Sequence, residues 1–376
     1  MQKKYFDMEG YRICSRCVMD TSDKDIEFDE NGICTYCKEY EVNVVKRSFP
    51  VEEAKIKFDE LIKKIKNDGK NRKYDCVVGI SGGVDSTYVA YLAKKEGLRP
   101  LAVHMDNGWN TKKATKNIFK ILKKLDIDLY TYVIDWEEFK DLQLSYFKAS
   151  VIDMEALTDH AIKAVMYKTA SDNNIKYILT GINIATEGGI PPSWRYNKND
   201  YFNIKDIHSK FGKVKMKTFP ILSLQDRFVY QIVKDIKMVE ILNYVNYNKE
   251  EVKLFLKEEF GWEDYGNKHG ESMFTHFFQE YILPVKFNID KRKPHLSSLV
   301  RSGQMSRQEA LEELKKPLYN DEDLKNDKNY VLNKFGLNEK EFEVIMNSPV
   351  KSHYDYKSSD KVLRNIRKIY QSIVKR

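Results

Sequence analysis

Two short stretches carry residue types at spacings suited to chemistry. Cys14, Cys17, Cys34 and Cys37 form the pattern C-x2-C-x16-C-x2-C. Each C-x2-C pair folds as a knuckle presenting two thiolates, and two knuckles give one ion a closed tetrahedral shell. A closed shell leaves no place for a reactive water, so the expected metal is structural Zn2+, with an iron–sulfur cluster as the alternative. Gly32 provides the tight turn into the second knuckle. The other stretch is Ser81-Gly82-Gly83-Val84-Asp85-Ser86. It lies between the apolar run YDCVVGI and the helical pattern STYVAYLAKKEG. A glycine-rich turn from strand to helix gathers backbone N–H groups, and the helix N-terminus adds the positive end of its dipole. Such a turn suits phosphate. Ser81 and Ser86 add hydroxyl donors, and Asp85 beside phosphates implies a cation such as Mg2+. The run matches neither G-x4-G-K-[ST] nor G-x-G-x-x-G.

The elements around these groups follow from periodicity. The chain has 376 residues, room for two or three domains. YDCVVGI, LRPLAVHMD, LYTYVID and KYILTG read as strands. STYVAYLAKKEG, TKKATKNIFKILKKLD and a long stretch over 137–172 read as the helices between them. That alternation predicts an α/β fold with a doubly wound parallel sheet. Past residue 228 the strand signal fades, and VYQIVKDIKMVEILNYV, KEEVKLFLKEEF, FTHFFQEYIL and SRQEALEELKK read as helices. The division expected is a zinc-binding module at 1–47, a helical linker at 48–73, the phosphate-loop domain at 74–228 and a helical domain at 229–376. His104, Asp106 and Gly108 end the second strand, and Thr180, Gly181 and Asn183 end the fourth. Both groups lie at carboxyl strand ends, where ligands bind in open α/β sheets. The alternative for each is an Asx turn or a capping glycine.

SGGVDS in this setting resembles the PP-loop of ATP pyrophosphatases, whose fold is adenine nucleotide alpha hydrolase-like. The resemblance implies cleavage of ATP between its α- and β-phosphates and adenylation of a carbonyl oxygen. Ser81 to Ser86, His104, Asp106, Gly108, Thr180, Gly181 and Asn183 would then line ATP, with Ser81 and Asp85 catalytic. A further block runs Tyr265-Gly266-Asn267-Lys268-His269-Gly270-Glu271-Ser272, Phe274-Thr275, Gln279 to Pro284 and Lys286-Phe287. It continues through Asp290 to Ser298 and ends with Ser302-Gly303-Gln304-Met305-Ser306-Arg307. With Cys14 to Thr21 at the front and Thr158-Asp159-His160-Ala161-Ile162 in the middle, it resembles the N-acetyl sugar amidotransferase family of the WbpG and PseA type. The resemblance spans nearly the whole chain. Pro294 before His295 departs from the family's pattern.

That resemblance implies conversion of a sugar N-acetyl group to an acetamidino group. The amide oxygen attacks the α-phosphorus, pyrophosphate leaves, ammonia attacks the O-adenylyl imidate and AMP leaves. The substrate would be a nucleotide sugar or a pseudaminic- or legionaminic-type acid, made for flagellar or surface glycans. Lys268, Glu271, Ser272, Lys286, Lys291, Arg292, His295, Ser297, Ser298 and Arg307 are the expected substrate contacts. They offer cations for an anion and hydroxyls for a ring, the alternative being a solvated basic stretch. Lys268, His269 and His160 complete the catalytic candidates, His160 being equally a structural histidine.

Five cysteines limit what the chain does alone. Four go to metal, and Cys76 sits in a strand as an inert core residue. No cysteine remains for a glutaminase, so ammonia is expected free or from a separate glutaminase, with or without a cyclase-like subunit. None remains as a persulfide carrier, which counts against the rival reading, a tRNA-thiolating enzyme. A non-catalytic zinc-ribbon scaffold is the other rival. The net charge is +8, but residues 351–376 hold eight Lys/Arg against Asp355 and Asp360. The excess reads as one basic terminal helix rather than a face for nucleic acid. No apolar run reaches the ~18 residues that span a bilayer. The N-terminal MQKKYFDMEGYR has no signal-peptide pattern, so a cytoplasmic protein is expected.

Overall fold

The structure, a computed structural model, describes residues 10–47, 51–266 and 270–360. The basic terminal helix expected within 361–376, together with Lys268 and His269, lies outside the described residues. In chain order the elements are α1 (Thr35–Arg47), α2 (Val51–Gly69), β1 (Cys76–Gly79), α3 (Val84–Lys95), β2 (Pro100–Asp106), α4 (Lys112–Leu125) and β3 (Asp128–Val133). Then come α5 (Trp136–Ala149), α6 (Ala156–Asp172), β4 (Tyr177–Thr180), α7 (Ile184–Glu187), α8 (Tyr201–Phe211), α9 (Leu224–Phe228) and β5 (Lys237–Glu240). The remaining helices are α10 (Lys249–Phe260), α11 (Met273–Phe277), α12 (Leu283–Phe287), α13 (Arg292–Arg301), α14 (Arg307–Lys315), α15 (Asp321–Phe335) and α16 (Glu339–Asn347).

All five strands pair in parallel, in the order β3-β2-β1-β4-β5. The chain winds outward from β1 in one direction, then returns to β4 on its other side. This leaves a crevice at the carboxyl ends of β1 and β4. Central strand β1 is apolar throughout because both its faces are covered. Val77 points into one cluster with Ile178, Phe139, Ala161 and Val165. Cys76 and Val78 point into the other with Val89, Ala90, Ile118 and Leu256. Burial pushes the Cys76 thiol up, which keeps it inert.

Four sequence expectations change. The segment 229–245 is not one helix: a π-turn at Val229–Val233 follows α9, and Lys237–Glu240 forms β5. Backbone pairing with β4 overrides the helical apolar spacing there. The sheet therefore runs past residue 228, the expected domain edge. Helix α2 is no linker, since Phe58, Ile62 and Ile65 are buried in the second cluster. The stretch 137–172 is two helices, because Ser150 takes the left-handed conformation at φ 57° and ends α5.

Candidate active site

The phosphate loop leaves β1 and enters α3. Gly82 sits at φ 85°, where a Cβ would stand 2.7 Å from the Ala114 carbonyl oxygen, so only glycine fits. Its own carbonyl accepts from Trp262 Nε1 at 2.9 Å and Tyr265 Oη at 2.6 Å, which hold the turn open. Ser81 and Ser86 hydroxyls lie 3.2 Å apart, and Gly83 N donates to Ser81 Oγ at 3.3 Å. Gly83 precedes α3 with no side chain capping the helix, so its first N–H groups face the crevice. Across the crevice, Gly181 leaves β4 so close that a Cβ would lie 2.9 Å from Asp85 Cβ.

Two residues without a sequence assignment complete the loop. Tyr247 donates to Asp85 Oδ1, and Lys249 Nζ lies 3.5 Å from Asp85 Oδ2. Burial alone would lower the Lys249 ammonium, but the charges of Asp85, Glu187 and Glu271 outweigh it and hold it above its ordinary range. A cation among three carboxylates, beside an open helix N-terminus, is a setting for phosphates and a divalent ion. Asp85, Glu187 and Glu271 set negative charge around the Lys249 ammonium. Asn248 caps α10 through Glu250 N and Glu251 N, and no sequence pattern shows that this helix start faces the loop.

The expected nucleotide residues shape the crevice more than they fill it. His104 Nδ1 donates to the Ile80 carbonyl at 2.9 Å, and its Nε2 accepts from Asn110 Nδ2 at 3.1 Å. Asp106 Oδ1 accepts from Gly108 N at 2.9 Å, an Asx turn. Thr180 Oγ1 donates to the Val239 carbonyl at 3.4 Å. Asn183 caps α7 and donates to the Gly181 carbonyl at 3.1 Å.

Besides Tyr265 on the Gly82 carbonyl, the C-terminal block meets the turn after β2. Thr111 N donates to the Glu271 carbonyl and Met273 N to the Trp109 carbonyl, both at 2.9 Å, beside a bridge between Asn110 and Ser272. The Glu271 carboxylate thereby comes within 3.6 Å of the point where a Gly83 Cβ would stand. Ser272 caps α11 through Thr275 N at 3.3 Å.

Much of the rest of the expected substrate set is structural. Lys286 Nζ donates to the carbonyls of Ile345, Met346 and Ser348 at 2.7–3.0 Å and closes α16. Arg292 pairs with Asp290 at 2.7 Å and donates to the Lys316 carbonyl beyond α14 at 2.8 Å. Ser297 Oγ accepts from Val18 N at 3.2 Å, and Ser298 Oγ donates to the Pro294 carbonyl at 2.8 Å. Pro294 falls in the first turn of α13, where its missing N–H costs no helix bond. His295 lies half-buried on the same helix. Lys291 pairs with Glu155 at 3.6 Å in a polar cluster with Asp153 and Lys198. His160 is corrected to a structural histidine: Nδ1 donates to the Lys198 carbonyl at 2.9 Å and Nε2 accepts from Leu222 N at 3.0 Å. Burial lowers it to about 4, so it stays neutral.

The four cysteines converge. Their sulfurs all lie within 4.8 Å of one another, with Cys14–Cys37 at 3.9 Å and Cys17–Cys34 at 3.7 Å. A tetrahedral zinc with sulfur at ~2.3 Å sets its ligands about 3.8 Å apart, so the set fits that ion. All four are unoxidised and buried. Cys14 Sγ accepts from Cys17 N at 3.4 Å and Cys34 N at 3.3 Å, and hydrogen bonds from Cys17, Cys34 and Cys37 hold it far below the ordinary thiol range. Helix α13 anchors this module. Lys293 pairs with Asp20, and Arg301 donates to the Tyr36 carbonyl at 3.0 Å.

Two family models match separate stretches of the chain. Residues 57–184 match the family model NAD synthase, and residues 271–370 match LPS biosynthesis protein WbpG-like, C-terminal domain. An uncharacterized protein of Methanocaldococcus jannaschii is 25% identical over 81% of this chain and 93% of its own. A 7-cyano-7-deazaguanine synthase of Campylobacter jejuni subsp. doylei is 42% identical over 19% of this chain and 31% of that enzyme. An NMN synthetase structure from Francisella tularensis covers 59% of this chain and 90% of its own, at 17% identity and a TM-score of 0.30. A phosphate loop thus lies at the switch point of a parallel sheet within the stretch similar to NAD synthase, and the stretch similar to the WbpG-like C-terminal domain follows it.

Proposed function

We propose that the chain is an ATP-dependent amidotransferase that turns the N-acetyl group of an anionic sugar into an acetamidino group. The observation that carries this reading is the contact of Glu271 and Met273 with Trp109 and Thr111. It joins the start of the WbpG-like stretch to the turn after β2, next to the phosphate loop, which supports a sugar held there reacting with ATP bound at the loop. An amide carbon is a poor electrophile and its oxygen a poor leaving group; adenylation of that oxygen repairs both defects. The open α3 N-terminus and Lys249 would hold the phosphates and stabilise departing pyrophosphate. Lys291, half-buried, is a cation suited to the anion of a sugar phosphate, nucleotide sugar or nonulosonic acid. Ammonia then displaces AMP, supplied free or by a separate glutaminase.

The cysteine inventory supports this over tRNA thiolation. Four thiols form the metal cluster and Cys76 is fully buried, so a persulfide has no exposed carrier. The test is mass spectrometry of N-acetylated nucleotide sugars and CMP-activated nonulosonic acids, incubated with ATP, Mg2+ and ammonium. Exchange of one oxygen for NH, with AMP formed in equal amount, is expected. No product and no AMP from any candidate would defeat the reading.

A further inference from the structure

The motif Ser302–Arg307 has no part in the chemistry above. It turns between α13 and α14 and faces two ways. On one side Arg307 donates to the Cys14 carbonyl at 2.9 and 3.1 Å and to the Cys17 carbonyl at 3.1 Å, gripping the first knuckle by its backbone. On the other side Gln304 grips the entry to α10. Its Oε1 accepts from Lys249 N at 3.1 Å and its Nε2 donates to the Tyr247 carbonyl at 2.9 Å. Asn248 Oδ1 accepts from Glu250 N and Glu251 N, so Gln304 supplies the missing acceptor and completes the N-terminal cap of α10. Gln304 is itself fixed, because its N donates to the Leu299 carbonyl at 2.9 Å after Gly303 turns at φ 74°.

The segment so held is the one that grasps the phosphate loop. Tyr247 and Lys249 each reach one oxygen of Asp85. We propose that Gln304 is a positioning residue that ties the four-cysteine module to the loop, so that metal occupancy of the module sets the loop's affinity for ATP. The proposal rests on the ATP reading above. Its physical basis is short range. Each contact spans one hydrogen bond, and a backbone displaced by about an ångström breaks it. Metal loss slackens the knuckle that Arg307 holds, the turn shifts, and Tyr247 and Lys249 lose their aim at Asp85. Linkage makes the coupling reciprocal, so bound ATP must also tighten the metal.

The experiment titrates Mg·ATP by calorimetry into zinc-loaded wild type and into Gln304→Met, which keeps bulk and removes both side-chain hydrogen bonds. The Kd for ATP should rise about tenfold, equivalent to one factor of ten on the affinity scale. Zinc content and Tm should stay near wild type, which a general loss of packing would not allow. Zinc release to a chromophoric chelator is the second readout: saturating ATP should slow it in wild type and leave it unchanged in Gln304→Met. Should that variant fail to fold, Gln304→Asn, one methylene short of both partners, carries the same comparison. Equal ATP affinity in wild type and variant, or release slowed by ATP equally in both, overturns the tie alone. A zinc-loaded wild type that binds no Mg·ATP overturns the ATP reading and the tie with it.

Discussion

Lys249 Nζ stands 3.5 Å from Asp85 Oδ2, while Tyr247 holds the other oxygen of the same carboxylate. One acid in the phosphate loop is thus gripped from both sides by a segment far along the chain. Asp85 is kept aligned, and the ammonium is kept beside the open end of α3.

Lys249 should therefore matter more for phosphate chemistry than for folding. Lys249→Met keeps the chain length and removes the charge. ATP–pyrophosphate exchange is expected to fall on the order of a hundredfold, the usual cost of losing one preorganised donor. The melting temperature should change little. Exchange at the wild-type rate would reduce Lys249 to a structural ion pair.

Gly181 marks the closest approach of β4 to the loop. A methyl group there would meet Asp85 Cβ at 2.9 Å and the Asp85 carbonyl carbon at 3.0 Å. Gly181→Ala should destabilise by about 1–3 kcal/mol through overpacking. It should also weaken ATP binding, since the displaced atoms are those of the loop. Denaturant melts and ATP titration on the same sample separate the two effects.

The cysteine module should hold one metal ion per chain by native mass spectrometry. Cys14→Ser/Cys37→Ser should lose it and melt earlier, because metal binding free energy is folding free energy in such modules. Arg307→Met should keep all four ligands yet release metal faster, as the carbonyls of Cys14 and Cys17 lose their donor. Unchanged stability in the double cysteine variant would remove the structural role.

Three histidines set opposite limbs of the stability profile. Burial lowers His160 and His353 to about 4, below their unfolded value near 6.5. Their contribution is complete above about pH 6.5 and is lost as pH falls toward 4, a few kcal/mol in all. His276 is raised to about 9: burial would lower it, but Asp327 and Glu280 prevail. Its contribution is complete below about pH 6.5 and is lost as pH rises through 9. Tm should peak between these limbs, and His276→Gln should flatten the alkaline one alone.

Cations near the WbpG-like block should divide by role. Lys286→Met and Arg292→Met remove donors to helix-end carbonyls, so each should cost about 1 kcal/mol of stability and leave the sugar KM unchanged. Lys291→Met should raise the sugar KM. A KM raised by Arg292→Met and not by Lys291→Met would reverse the assignment.

The sequence by itself determined what is local. Cysteine spacing specified two knuckles, since a knuckle closes within a few residues. SGGVDS between an apolar run and a helix specified the loop, because its conformation follows from glycines and the chain entering and leaving it. The apolar strands of a parallel sheet were legible because both faces of β1, β2 and β4 are buried. The tertiary structure decided everything that depends on a distant partner. β5 exists because β4 offers it an edge, and its own residues carried helical spacing. His160 is structural because the Lys198 carbonyl and Leu222 N occupy both ring nitrogens. Lys286, Arg292 and Arg307 looked like ligands for an anion, yet they cap helices and hold a knuckle. Charge is visible in a sequence, whereas the acceptor that satisfies it is not. Lys249 and Tyr247 reach Asp85 only through packing of α10 on α3, a contact no local pattern encodes.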